Sequence, residues 1–206
     1  MAEKIAKKEM ENMIKEYSKE VSKRWKEETR KMLELAHNAC EPAEEGRQDE
    51  EDAKQAFMVA VSEMVGNRGS VARTVPKENL EVFADTILKN YPKIKDGKIL
   101  QEDVFDIFSV KYKEGNQDKN PLSYITKICH IINPKGCPLI WDSKVRDALK
   151  IKSKTQYKEV LINARNTVSE GNYSDEEIYD IESAIWAGIE NDEIVNAFKS
   201  QIGIIE

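Results

Sequence analysis

Two side chains in the central part of the chain are suited to covalent chemistry. Lys127 lies in a mostly apolar run with helical spacing, and burial lowers the pKa of a lysine amine so that it becomes a nucleophile able to form a Schiff base. Asp142 follows 142 − 127 = 15 residues later and supplies a carboxylate that can stabilise positive charge. Each residue also has an ordinary explanation, because Lys127 can extend to solvent or pair with an acid and Asp142 can cap a helix.

Two cysteines and a histidine nearby, Cys129, His130 and Cys137, are potential zinc ligands. Cys129 and His130 would point about 100° apart on a helix. No fourth ligand follows at a useful spacing, so neither a metal nor another cofactor is predicted. A nucleophilic cysteine assisted by His37 or His130 has equally little support, because adjacency in sequence gives no triad geometry. With Cys40 the chain has an odd count of three cysteines, which favours buried free thiols in a reducing compartment.

The two candidate residues lie in a predicted helix-loop-helix that runs from Asn120 to Leu149. An Asn-Pro pair starts the first helix, Pro121 to about Ile132, and a second Asn-Pro pair ends it. Asp142 or Ser143 is the predicted N-cap of the second helix, which follows a short apolar connection. The first helix is apolar around most of its surface, and its narrow polar face consists of Ser123, Lys127 and His130.

This stretch resembles the core of the helix-hairpin-helix DNA glycosylases, in which a helix carrying a lysine precedes an apolar connection and a helix that begins apolar-Asp-Ser/Thr-x-Val-Arg. Here the second helix begins Trp141-Asp142-Ser143-Lys144-Val145-Arg146. The resemblance implies that Lys127 attacks a sugar C1′ and that Asp142 stabilises the sugar as the flipped base departs. It covers about thirty of 206 residues. The His-Ile-Ile-Asn-Pro and Trp-Asp-Ser runs also resemble a stretch of bacterial proteins that have no assigned activity.

Positive charge is concentrated on the same stretch. The whole chain carries a net charge of −6, yet residues 121–158 contain seven Lys and one Arg against two Asp, a balance of 8 − 2 = +6. Such a basic island in an acidic chain predicts a surface that faces phosphates, with contacts from Lys135, Lys144 and Arg146. The alternative is a solvated face that uses lysine for solubility.

The composition and the spacing of apolar residues predict an all-α fold of eight or nine helices without a hairpin. Residues 1–40 form a predicted long amphipathic helix that packs on its own domain or on a second copy of the chain, so a homo-oligomer is possible. An acidic linker with Pro42 and Gly46 leads to a helical domain, residues 41–206. No run is long and apolar enough to span a membrane, and the charged start is not a secretory signal, so a cytoplasmic protein is predicted.

The remaining predicted helices flank the helix-loop-helix on both sides. A capping box at Ser174 and Glu177 opens one of them. The predicted ranges are Ala53 to Val65, Lys77 to Asn90 with its end set by Tyr91-Pro92, Gln101 to Tyr112 before a polar turn Glu114 to Lys119, Tyr157 to about Gly171, Asp175 to Ile189, and Asp192 to about Lys199.

These features support two hypotheses about function. The first is a DNA-binding protein that holds DNA with Lys135, Lys144 and Arg146. Its enzymatic form would be a base-lesion glycosylase or lyase that uses Lys127 and Asp142. The second is a non-enzymatic helical interaction module that keeps a glycosylase-like scaffold, because a shared fold does not carry function by itself.

Overall fold

The computed structural model describes residues 52, 55–56, 58–59, 77–98, 112–114, 117–119, 122–187 and 200–202. The predicted all-α class is confirmed for this part of the chain, in which helices predominate. The long N-terminal helix and the first linker lie outside the described residues. Five helices have defined bounds: α1 (Lys77–Lys95), α2 (Leu122–Ile132), α3 (Ser143–Ala148), α4 (Lys154–Glu170) and α5 (Asp175–Ala187).

The described residues divide between two compact units, with a boundary between Ile132 and Asn133. Helices α1 and α2 belong to the first unit, and α3, α4 and α5 belong to the second. The boundary falls inside the predicted helix-loop-helix, so its two helices belong to different units. Within the described residues, no helix has the length and apolar character needed to cross a membrane.

Helix α1 continues past the proline that was predicted to end it. Pro92 lies inside the helix, although proline lacks an N–H and clashes with the preceding turn. The prediction of an end at Tyr91-Pro92 is therefore wrong, and burial explains why. One more turn covers Tyr91 and Ile94, which are each 1% exposed, and α1 packs on α2. The helix stops where Gly97 adopts a φ of 68°, which glycine accepts without strain.

A short antiparallel hairpin precedes α2. Strands β1 (Tyr112–Glu114) and β2 (Gln117–Lys119) pair with Tyr112 opposite Lys119. The predicted absence of a hairpin, the predicted helix end at Tyr112 and the predicted polar turn Glu114 to Lys119 are therefore wrong. A usable signal was present, because Gly-Asn between the two strands is typical of a two-residue hairpin turn. The helical spacing of the apolar residues before Tyr112 instead led to the prediction of a helix followed by a turn.

Helix α2 agrees with the prediction in its end at Ile132 and in its burial. Nine of its eleven residues are buried, among them Ile125 and Cys129, which have no exposed surface. The buried hydroxyl of Thr126 donates to the Leu122 carbonyl at 2.9 Å, so this polar atom is satisfied inside the helix.

The second unit begins with the loop 133–142. The Asn133 side-chain oxygen accepts from the Gly136 N–H at 2.7 Å, and its carbonyl accepts from the Cys137 N–H at 2.9 Å. These two bonds close a tight turn directly after α2. The chain then returns to the interior through Leu139 and Ile140, as the apolar connection predicted.

Side-chain caps define the starts of the three helices in this unit. Asp142 caps α3 as predicted, and Ser153 caps α4 by accepting from the Gln156 N–H at 3.1 Å. The predicted capping box opens α5, because the Ser174 N–H donates to Glu177 at 2.6 Å and the Glu177 N–H donates to the Ser174 hydroxyl at 3.3 Å.

The core of the second unit is built around α4. Its fully buried Tyr157 donates its hydroxyl proton to the Leu139 carbonyl at 2.6 Å, across eighteen residues of sequence. Helix α3 packs on α5. At the far end, the Thr167 hydroxyl donates to the Gln201 carbonyl at 3.0 Å, which ties the helical residues 200–201 to α4. The other buried apolar side chains of α4 and α5 are Val160, Leu161, Ala164, Val168, Ile178, Ile181 and Ile185.

Gly171 at the end of α4 provides a test of this packing. A Cβ at this position would meet Cδ2 of the buried Tyr173 ring at 2.8 Å. Gly171→Ala is therefore expected to lower the free energy of unfolding by about 1–3 kcal/mol, because a fixed ring must move. Urea denaturation measures this change. Ser169→Ala, at an exposed position of the same turn, is the control and should stay within about 0.5 kcal/mol of wild type. Wild-type stability of Gly171→Ala would contradict this packing.

Candidate nucleic-acid interface

Lys127 lies on the partly exposed side of α2. Ser123 and Lys127 are half-buried and mark the polar face predicted for this helix. His130, which was placed on the same face, is only 3% exposed, so that part of the prediction is wrong. Burial at this end of α2 surrounds the imidazole, and a spacing rule could not foresee it. Lys127 belongs to the first unit and Asp142 to the second.

Asp142 is held in the geometry of a helix cap. Its backbone is extended (φ −103°, ψ 152°), and its Oδ1 accepts from the Lys144 N–H at 2.8 Å. One oxygen of the carboxylate is thus used to satisfy the first turn of α3. Capping alone explains an aspartate at this position, and no catalytic role is needed to account for it. A role in catalysis stays a prediction from the resemblance.

Lys144 and Arg146 each lie over a tryptophan ring. Lys144 Nζ is 3.8 Å from the centre of the Trp186 ring, and the Arg146 guanidinium carbon is 4.6 Å from the centre of the Trp141 ring. Residues two positions apart on a helix point to nearly opposite sides. Helix α3 is therefore flanked by two cation–π pairs, one on each side, each of which holds a cation near the surface.

Trp141 is fixed from a second direction. Its ring meets the buried Tyr157 ring edge-to-face, with 4.9 Å between centroids and an interplanar angle of 76°. Arg146 is half-buried, and among the described residues its Nε has no hydrogen-bond partner. The arginine is therefore positioned mainly by the ring. The sequence identified Lys144 and Arg146 but not their aromatic partners, Trp186 and Trp141.

Lys135, the third predicted phosphate contact, is exposed. Its Nζ lies 3.9 Å from Oδ1 of Asp175, and both side chains keep more than half of their surface in solvent. An exposed pair at this distance contributes about 0–1 kcal/mol, so water or a phosphate can readily replace the carboxylate.

The cysteines of this region are buried and reduced. Cys129 and Cys137 are free thiols, and Cys137 is 1% exposed with its Sγ 3.6 Å from the Leu139 carbonyl that it faces. Burial, reinforced by the nearby Glu182 carboxylate, raises the pKa of Cys137 to about 12. This thiol therefore holds its proton at neutral pH and is a poor nucleophile. In the part of the chain that the structure describes, no three His, Cys, Asp or Glu side chains are grouped to hold a metal.

Burial of the Cys137 thiol predicts slow alkylation and a stability that depends on pH. In the folded protein at pH 8, Cys137 is expected to react with iodoacetamide at least tenfold more slowly than in urea, because both access and thiolate formation are suppressed. Site-resolved mass spectrometry measures the two rates. Since the folded pKa lies above the value of a free thiol, this group stabilises the fold below about pH 9, and that stabilisation falls as the pH rises toward 12. Equal rates with and without urea would contradict the burial.

Comparison with protein-family models, with curated proteins and with solved structures found no match for this chain.

Proposed function

We propose that this protein binds DNA through its phosphate backbone, with α3 and its surroundings as the contact surface. The supporting observation is the charge of residues 133–158 in the second unit. Six Lys and one Arg stand there against two Asp, a balance of 7 − 2 = +5, while the rest of the chain carries −6 − 5 = −11. Five of the six lysines are exposed and the sixth is half-buried. A compact positive patch on an acidic chain favours a polyanion at one place and repels it elsewhere.

The predicted contacts suit a phosphate ligand in different ways. Within the described part of the chain, the exposed Lys144 contacts a tryptophan face and the exposed Lys135 faces a distant carboxylate. Both contacts are weak enough to exchange for a charge-assisted hydrogen bond to a phosphate oxygen. Arg146 is half-buried on Trp141, so it contributes a fixed positive charge near the surface and its replacement would also disturb packing.

Backbone binding makes a quantitative prediction about salt. Fluorescence anisotropy with a labelled duplex should show log K falling linearly with log salt, because bound counterions are released. Lys135→Gln and Lys144→Gln should each reduce the slope by about 0.9 and weaken binding to unrelated sequences alike. Arg146→Lys keeps the charge and should change the slope little.

The matched control is Lys89→Gln, which removes one exposed lysine from α1 in the other unit. It should bind DNA like wild type. Absence of salt-dependent DNA binding by wild-type protein, shown to be folded by circular dichroism, would overturn the proposal and leave the interaction module as the surviving hypothesis.

Chemistry on DNA is a further part of this proposal, supported by the resemblance to the helix-hairpin-helix glycosylases. Borohydride should trap a covalent adduct between the protein and DNA that contains an abasic site, because a Schiff base at C1′ is reducible. Lys127→Ala should remove the adduct. Asp142→Asn should lower turnover, and since Asn caps helices as well as Asp does, its stability should match wild type.

The two substitutions test the two residues separately. A trapped adduct that persists in Lys127→Ala would exclude this lysine as the nucleophile. If Asp142→Asn turns over substrate as fast as wild type, Asp142 has no role in catalysis and serves only as a helix cap. Duplex binding without an adduct in wild-type protein would retain DNA binding and remove the lyase chemistry.

A further inference from the structure

We propose that the DNA contact extends from α3 along α4, on a surface called here the α4 stripe, which follows the backbone of duplex DNA without reading its sequence. This inference rests on the proposed DNA binding and specifies where the duplex lies. The α4 stripe consists of Lys150, Lys152, Lys154, Lys158 and Arg165. None of these was singled out by the spacing of the sequence motifs.

The stripe begins in the turn that joins α3 to α4. Lys150, Lys152 and Lys154 are all exposed and alternate with the buried Ile151 and the capping Ser153. The turn therefore directs its apolar side chain inward and presents three cations to solvent within five residues. No acidic residue lies in this turn or in the first turn of α4.

The stripe continues on one side of α4. Lys154, Lys158 and Arg165 are separated by four and seven residues, which places them within about 40° of one another around the helix. The rise from the first to the last is about 16 Å, the length of roughly five phosphates along one strand. Glu159 and Glu170, the two acids of α4, fall about 100° or more from the middle of this stripe.

Two of these lysines occupy positions where other residues would suit the fold better. Helices α3 and α4 end in the same motif, with the Ile151 N–H donating to the Arg146 carbonyl in one and the Tyr173 N–H donating to the Val168 carbonyl in the other. The residue in the left-handed conformation after α4 is Asn172 (φ 50°), and asparagine is favoured in that conformation. After α3 the same position is occupied by Lys150 (φ 54°), which is not favoured there. Lys154 likewise adds positive charge at a helix start, where an acid is favoured.

This arrangement suits a polyanionic ligand, because exposed lysines present several positive charges close together in the sequence. If the lysines served solubility alone, positions that do not oppose the backbone preference would serve equally well. The stripe includes no aromatic side chain, Tyr157 of α4 is fully buried, and the Trp141 and Trp186 rings beside α3 are each covered on one face by Arg146 and Lys144, so open stacking platforms typical of single-strand binding are missing from the described surface. Spaced cations without such platforms fit a duplex backbone.

The experiment compares full-length variants by anisotropy with two 30-base-pair duplexes of unrelated sequence and one single strand. Lys152→Gln combined with Lys154→Gln should reduce the salt slope by about 1.8 and weaken duplex binding about tenfold or more at 0.1 M salt, equally for both sequences. The matched control, Lys89→Gln combined with Lys95→Gln on α1, removes the same charge from exposed positions and should bind like wild type.

Lys150→Asn separates binding from folding, because it copies the residue used after α4. It should leave the melting temperature equal to or above that of wild type and still weaken duplex binding. Wild-type affinity in all stripe variants, with Lys135→Gln or Lys144→Gln still defective, would overturn the stripe and keep DNA binding. Tighter binding to the single strand, or binding only to anionic vesicles, would overturn the stripe as a duplex surface.

Discussion

The buried hydrogen bond from the Tyr157 hydroxyl to the Leu139 carbonyl is the interaction on which the second unit depends. The 133–142 loop returns to the interior at Leu139, where an unsatisfied carbonyl would be costly. Tyr157 satisfies it at 2.6 Å, and the same ring supports Trp141 from the side. Trp141 in turn holds Arg146. One core side chain therefore links the loop, α4 and the basic end of α3.

Helix α3 is short, and its six residues are stabilised chiefly from outside the helix. Asp142 caps its start, the turn at Lys150 closes its end, and Trp186 and Trp141 flank its sides. A helix fixed at both ends presents its cations in defined positions, which reduces the entropy lost when a ligand binds. Rigid display of charge is what the proposed contact with a phosphate backbone requires.

The proposed surface joins two sets of cations, one around α3 and one along α4. Lys135, Lys144 and Arg146 emerged from the local concentration of charge in the sequence. Lys150, Lys152, Lys154 and Lys158 belong to the same concentration of charge, and the backbone conformation of Lys150, compared with that of Asn172, adds that one of these lysines departs from the local preference. Charge counts show where lysines are frequent, whereas backbone geometry shows where a lysine occupies a position that favours another residue.

Features that depend on neighbouring residues could be predicted from the sequence: the Asp142 cap, the Ser174–Glu177 capping box, the end of α2 and the end of α4 near Gly171. Caps form between groups three or four residues apart, so their chemistry is legible along the chain. Other features depend on tertiary packing. Burial of Tyr91 and Ile94 carries α1 through Pro92, and burial encloses His130 and keeps Cys137 protonated. Burial depends on residues distant in sequence, which is why local spacing could not reveal it.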